Sequence, residues 1–174
     1  RMDSQSVIHQ NPPLRNITFL KELSMGQLLA GTELDGLFIL DSHFQPMPLS
    51  ENNRQTSAVR SVLGDSSGRM IAGSYGAGLF QLVRKGEEYD IVFLRTAAKW
   101  ITDGVEIRHY YCFSTLGQGL ILFDKETLQS RFFGIEDGLA GLDINAMVYV
   151  EPYLICAAQG QGLIKIHEHY FEAP

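Results

Sequence analysis

The chain has no basic run, no long apolar run and only two cysteines among its 174 residues, and each scarcity excludes something. Fourteen Lys and Arg against twenty Asp and Glu leave a formal net charge of −6. Nucleic acid and anionic membrane surfaces both demand a concentrated cationic patch, so the sequence predicts no nucleic-acid partner and no membrane contact by this segment. No stretch approaches the ~18 uninterrupted apolar residues of a membrane-spanning helix. Residues 1–15 contain no apolar core of a leader, so no signal peptide is visible, and a processed or excised domain would have lost one. Helical periodicity is also missing. The best candidate, Glu136 to Ala146, contains Gly138 and Gly141 and reads as a connector. No Gly-x-Ser-x-Gly elbow, phosphate loop or His-Glu-x-x-His is present.

What is present is a repeat. A Gly-Leu step occurs at Gly36-Leu37, Gly78-Leu79, Gly119-Leu120 and Gly162-Leu163, with glycines 42, 41 and 43 residues apart. A tetrad precedes each step: Leu29-Ala30-Gly31-Thr32, Ile71-Ala72-Gly73-Ser74, Cys112-Phe113-Ser114-Thr115 and Ile155-Cys156-Ala157-Ala158. The tetrad ends one apolar run and Gly-Leu opens another, which describes a hairpin with glycine at the turn exit. A further apolar segment precedes each tetrad, as at Ile17 to Leu20 and Val59 to Leu63. A fourth follows each Gly-Leu run, around Phe44 to Met47, Tyr89 to Leu94, Leu128 to Phe133, and Tyr170 onward. Four strands per ~40 to 45 residues is the period of a β-propeller blade. Continuous apolar runs such as Leu120-Ile121-Leu122-Phe123 suit strands buried on both faces, and there are no crossover helices for a parallel sheet.

The sequence therefore predicts an all-β chain of about four blades, each a four-stranded antiparallel sheet. An N-terminal arm would span residues 1–15 and the array residues 16–174, with repeats at about 16–57, 58–98, 99–143 and 144–174. Four blades can form a closed ring, a piece of a longer propeller, or half of an eight-blade ring; the reading favours the piece. An open array leaves an apolar blade face at each end, so self-association through those faces is expected.

Cys112 and Cys156 lie seven and six residues before their glycines. One step along a strand turns a side chain to the other face, so the reading has two buried thiols that do not meet. Asp65-Ser66-Ser67-Gly68 and Glu136-Asp137-Gly138 read as turns, lacking the further oxygen ligands of a calcium loop. His167-Glu168-His169 would put two imidazoles on one strand face without a third ligand, as part of a polar end strand. His9, His43 and His109 are isolated. No metal, cofactor or catalytic residue is assigned.

Val59 to Ser74 followed by Gly78-Leu79-Phe80, and the hairpin Gln27 to Leu40 with its Gly31-Thr32 ending, resemble the two-component regulator propeller repeat. That family runs a Val-containing inner strand into an Asp-x-x-Gly turn, a strand ending in Gly-Thr, and an x-Gly-Leu step. The third and fourth repeats depart from it in lacking the tetrad glycine, and all four lack the tryptophan common in its second strand. The resemblance covers about residues 16 to 171. It implies the extracytoplasmic, hence periplasmic, sensor region of a bacterial hybrid histidine kinase, of the kind that detects oligosaccharides in gut Bacteroidetes. There the propellers are usually seven-bladed and precede an Ig-like module, a membrane helix and the kinase core. No kinase or receiver signature occurs in this chain.

Propeller ligands commonly sit on the face formed by the loops between strands two and three and between successive blades. The first set is Glu33-Leu34-Asp35, Tyr75-Gly76-Ala77, Leu116-Gly117-Gln118 and Gln159-Gly160-Gln161; the second includes Asn52 to Ser57 and Thr96 to Asp103. A sugar site wants an aromatic plate with amide and carboxylate partners, which Asp35, Tyr75, Trp100, Gln118 and Gln161 offer. The competing reading has Trp100 plugging a blade interface and the glutamines as solvated turn positions. Three function classes follow: a non-catalytic sensor module for a small molecule or oligosaccharide, a protein-interaction scaffold, and a propeller lyase or glycan-active enzyme whose carboxylate pair only spatial separation could reveal.

Overall fold

The computed structural model describes residues 14–23, 26–47, 49, 56–64, 69–86 and 88–172. The arm through residue 13, the turn at 65–68 and most of the loop 52–57 lie outside the described residues. Strands β1 (Ile17–Glu22), β2 (Leu28–Thr32), β3 (Leu37–Leu40) and β4 (Pro46–Met47) form the first sheet. The second holds β5 (Val59–Leu63), β6 (Arg69–Ser74), β7 (Gly78–Lys85) and β8 (Glu88–Phe93). The third holds β9 (Ile101–Ile107), β10 (Tyr110–Thr115), β11 (Leu120–Asp124) and β12 (Ser130–Phe133), and the fourth β13 (Ile144–Val150), β14 (Tyr153–Ala158) and β15 (Gly162–His167). Each is an antiparallel meander in chain order, and together they are the four blades of a propeller.

The repeated residues have repeated jobs. The glycines of the Gly-Leu steps share a left-handed backbone, with φ of 89°, 78°, 74° and 77° at Gly36, Gly78, Gly119 and Gly162, a region that costs side-chain-bearing residues strain. At Gly119 an added Cβ would also stand 2.6 Å from the Phe133 carbonyl oxygen. The tetrad glycine serves blade approach instead, because a Cβ at Gly73 would lie 2.4 Å from Ile101 Cγ2 of the next blade. The last tetrad residue closes the loop. Thr32 and Thr115 donate to the Gly36 and Gly119 carbonyls at 2.8 and 3.0 Å and accept the Asp35 and Gln118 backbone N–H at 2.9 and 3.1 Å. Both hydroxyls sit in fully buried residues, so these bonds satisfy polar groups that water cannot reach.

Every inner strand carries an irregularity at its second residue, Thr18, Arg60, Thr102 or Asn145. Such bulges re-aim a side chain. Thr18 Oγ1 donates to the Val59 carbonyl and Thr102 Oγ1 to the Ile144 carbonyl, each on the next inner strand.

Three apolar cores fill the gaps between successive blades. Leu37 and Ile39 meet Phe80 and Leu82 in the first, Leu79 and Ile71 meet Phe113 and Ile121 in the second, and Leu120 and Leu122 meet Leu154 and Ile166 in the third. The inner strands pack correspondingly, β1 on β5, β5 on β9 and β9 on β13. Among the described residues no fourth core joins the last blade to the first.

Two expectations need correction. A fourth strand from Tyr170 does not form: Glu168–Phe171 is a 3-10 turn, and the described part of the last blade has three strands. The turn tucks Phe171 against Phe133, ring centroids 5.2 Å apart, filling the place an outer strand would cover. The two cysteines do meet in one environment. Cys112 looks forward from the third blade and Cys156 looks back from the fourth, so both are buried in the core between them as free thiols. The one-residue offset that points them to opposite faces of their own sheets is what brings them to the same gap, since opposite faces of adjacent blades are the ones that touch. Burial pushes both thiols up, Cys156 to about 12.

Candidate functional site

On the face carrying the β2–β3, β6–β7, β10–β11 and β14–β15 loops, Tyr75 and Trp100 come together from neighbouring blades. Their backbones form an antiparallel bridge and their ring centroids stand 5.0 Å apart at 57°. Backbone bonds hold both residues: Tyr75 N–H donates to Ala58 O at 2.9 Å, Gly76 N–H to Lys99 O at 2.7 Å, and Leu116 N–H to Trp100 O at 3.0 Å. Gly76 adopts φ of 122° beside the indole, a conformation reserved for glycine. The pair is fixed yet open, with Tyr75 38% and Trp100 48% exposed. Trp100 therefore does not plug a blade interface.

The aromatic pair has polar company. Arg60, at the bulge of β5, places its guanidinium 5.6 Å from the Tyr75 ring centroid and 3.5 Å from Glu33 Oε2. Stacking on an exposed ring is worth about 0.5–1 kcal/mol and an exposed ion pair adds little, so both side chains remain available to a ligand. The result is an apolar plate beside one cation and one anion. Such a surface can stack on the C–H face of a sugar ring while its edges exchange hydrogen bonds with hydroxyls.

Of the five residues singled out in the sequence, Tyr75 and Trp100 form this pair. Asp35, Gln118 and Gln161 take the same loop position in the first, third and fourth blades. Among the described residues no hydrogen bond, ion pair or ring contact ties their side chains to the aromatic pair. The Gln161 side chain instead lies over the blade connector, where a Cβ on Gly141 would come within 2.9 Å of its Cγ. Arg60 escaped the sequence reading, although its place in the repeat, matching Thr18 and Thr102, is a usable signal because those hydroxyls point across to the next blade.

The opposite end of the blades holds an ionic cluster that sequence reasoning also missed. Arg108 bridges Glu151, on the next blade, at 2.5 Å and Glu168 at 3.1 Å, while the Tyr149 hydroxyl donates to Glu168. The Glu151 bond raises the Arg108 pKa; burial and the Glu168 contact push Tyr149 to about 12. Beside it, a cavity of about 480 Å³ is lined by Arg108, His109, Asp124, Lys125 and Glu172 among others. Of its acids, Asp124 is committed to structure. Asp124 Oδ1 accepts the Glu126 and Thr127 backbone N–H at 2.9 and 2.7 Å, and these bonds lower its pKa. His167 and His169 face one another, Nδ1 to Nδ1 at 2.7 Å, with Glu168 between them turned inward. Among the described residues, no group of three or more His, Cys, Asp and Glu gathers as a metal cage would require, and no helix is long and apolar enough to cross a membrane.

No protein-family model matches the chain, and no curated protein matches it. Solved structures do. The extracellular domain assigned to the hybrid two-component system BT4673 of B. thetaiotaomicron superimposes with a TM-score of 0.68 at 16% identity, over 90% of this chain and 20% of that one. The computationally designed proteins Ika8 and Ika4 both superimpose with a TM-score of 0.65 at 14% identity over 87% of this chain, which is 46% of Ika8 and 90% of Ika4. The chain thus spans a fifth of the sensor domain and about half of Ika8. At these identities the likeness is one of fold: the chain is a four-blade β-propeller array, similar in architecture to part of a two-component extracellular sensor domain.

Proposed function

We propose that the chain is a non-catalytic, ligand-sensing propeller module of an extracytoplasmic two-component receptor, and that its ligand is an oligosaccharide. The observation that carries the reading is the rigid, exposed Tyr75–Trp100 pair flanked by Arg60 and Glu33. A propeller offers such a surface without moving parts, since backbone bonds hold both aromatic residues within their blades and Gly76 N–H to Lys99 O ties the two blades together beside them. The two-component repeat resemblance supplies the receptor context, and the shared fold with the BT4673 extracellular domain supports it. The periplasmic location belongs to the same reading.

A panel of neutral and acidic oligosaccharides, titrated calorimetrically against the chain and its Trp100→Ala variant, tests the reading. Binding to the wild type that weakens by about tenfold or more in the variant is expected, the effect of removing one stacked ring from under a sugar. Uniform failure across the panel, or equal binding by both proteins, would contradict it.

A further inference from the structure

We propose that His167 and His169 form a two-imidazole chelate on the surface of the fourth blade, taking an exchangeable divalent transition-metal ion, Cu(II) first and Ni(II) next. The site goes beyond the ligand reading and does not depend on it.

Two histidines at this spacing on a continuous strand would stand side by side on one face. The chain turns between them instead. His167 is the last residue of β15 and the N-cap of the 3-10 turn Glu168–Phe171, so His169 already lies in the turn. The change of direction aims the two rings at each other, with Nδ1 to Nδ1 at 2.7 Å and ring centroids 4.4 Å apart. Glu168, between them, is buried, and its carboxylate is engaged by Arg108 and the Tyr149 hydroxyl.

Both rings are held by neighbours. His167 meets the Tyr153 ring edge-on, centroids 5.1 Å apart at 83°, and His169 lies 4.1 Å from the Tyr170 ring at 33°. The turn is anchored by Phe171 against Phe133. Donors fixed before the ion arrives lose little freedom on binding it. The pair is also open, with His169 exposed and His167 half-buried, which gives an ion a path in and leaves its remaining positions to water. Lys165 is the like charge on this strand, and its ammonium is engaged over the Tyr153 ring, 3.7 Å from the centroid.

At 2.7 Å one facing nitrogen donates a proton and the other accepts it. The His169 backbone N–H also donates to His167 Nδ1, at 3.2 Å, which makes His167 Nδ1 the acceptor and His169 Nδ1 the donor. When His169 carries its proton on Nε2 instead, both lone pairs converge and a metal ion takes the place of the shared proton. The ion ties β15 to the turn in place of the two hydrogen bonds it displaces.

The separation selects the metal. Two nitrogens bound to one ion stand about 2.9 Å apart at a right angle and about 3.3 Å apart at a tetrahedral one. The observed 2.7 Å is nearer the right angle, which is the tetragonal geometry of Cu(II) and Ni(II) rather than the tetrahedral one of Zn(II), and Cu(II) also heads the general affinity order. Among the described residues no third ligand gathers, so the ion is exchangeable rather than structural.

Titration of the chain with CuCl2, NiCl2 and ZnCl2 in a non-coordinating buffer tests the inference, read by calorimetry and, for copper, by electron paramagnetic resonance. The tightest Cu(II) site of the wild type should show two imidazole nitrogens, and Ni(II) should bind more tightly than Zn(II). His169→Ala should weaken Cu(II) binding about 100-fold, as removal of one arm of a two-armed grip does, whereas His43→Ala should match the wild type. His169 is exposed, so its replacement should leave the far-UV spectrum unchanged. On the wild type, substoichiometric Cu(II) should broaden amide resonances of β15 and of residues 168–171 first, a readout that needs no variant. No binding at roughly 100 μM Cu(II), equal binding by His169→Ala, a single coordinated nitrogen, broadening centred elsewhere, or Zn(II) held more tightly than Ni(II) would overturn the inference.

Discussion

Leu120 and Leu163 occupy the same position in successive repeats, and one is fully buried while the other is 78% exposed. The difference lies in the neighbour, since Leu120 packs into the core shared with the fourth blade, whereas among the described residues Leu163 joins no core. Leu120→Ala should cost about 2–5 kcal/mol, the range for emptying a packed leucine site. Leu163→Ala should leave unfolding of the chain within about 0.5 kcal/mol of wild type. Urea unfolding of the two variants reads both.

The loop hydroxyls make a second prediction. Thr115→Val removes a buried group that donates to Gly119 O and accepts the Gln118 N–H; the Gly119 carbonyl keeps the Thr115 backbone N–H, but the Gln118 N–H loses its acceptor. A loss of about 1–3 kcal/mol is expected, measured by urea unfolding. The fourth repeat has Ala158 there, and its loop is closed by a backbone bond from Gln161 N–H to Ala158 O instead. Ala158→Thr should accordingly change little.

Alkaline pH gives a third. Cys156 is pushed to about 12 from an ordinary 9.0 and Tyr149 to about 12 from 10.0, both chiefly by burial. The folded state therefore holds protons that the unfolded chain releases first. This stabilisation is complete below about pH 9 and is lost progressively as pH rises toward 12. Urea midpoints should fall across that window, and Cys156→Ala should flatten the first part of the fall. Ellman's reagent should find both thiols unreactive in the native chain and both reactive on unfolding; rapid native reaction would contradict their burial.

Much of the fold was legible because the repeat is written in residues with a single physical role. Gly36, Gly78, Gly119 and Gly162 mark backbone positions closed to other residues, and the flanking apolar runs mark strands buried on both sides. The Cys112–Cys156 relation was misread because strand alternation describes one sheet, whereas contact between blades joins opposite faces of two. The fourth strand of the last blade failed because Tyr170 and Phe171 are apolar enough to suggest a strand, yet Phe171 is anchored in the core by a turn. At the candidate site, Trp100 and Tyr75 stood out as large aromatics in loops. Arg60 did not, since its match to Thr18 and Thr102 in the repeat becomes informative only once those positions are known to be bulges that re-aim a side chain.

The ionic cluster yields a further expectation. Arg108→Ala would leave the carboxylate of the largely buried Glu168 beside only the Tyr149 hydroxyl. A loss of about 1–3 kcal/mol is expected, within the range for an orphaned buried charge-bearing group. Because Glu151 is exposed, Glu151→Ala should cost less than about 1 kcal/mol. Thermal unfolding of the two variants side by side checks the ordering.

The central claim, that ligand is sensed at the Tyr75–Trp100 surface, has a built-in reporter because Trp100 is the one tryptophan of the chain. The most direct measurement is its emission during titration with the oligosaccharide panel, alongside acrylamide quenching, on wild type and on Tyr75→Ala. The account predicts a saturable emission change and reduced quenching for at least one saccharide, both weakened in the variant. Unchanged Trp100 emission while binding is registered calorimetrically would place the ligand elsewhere and contradict the account.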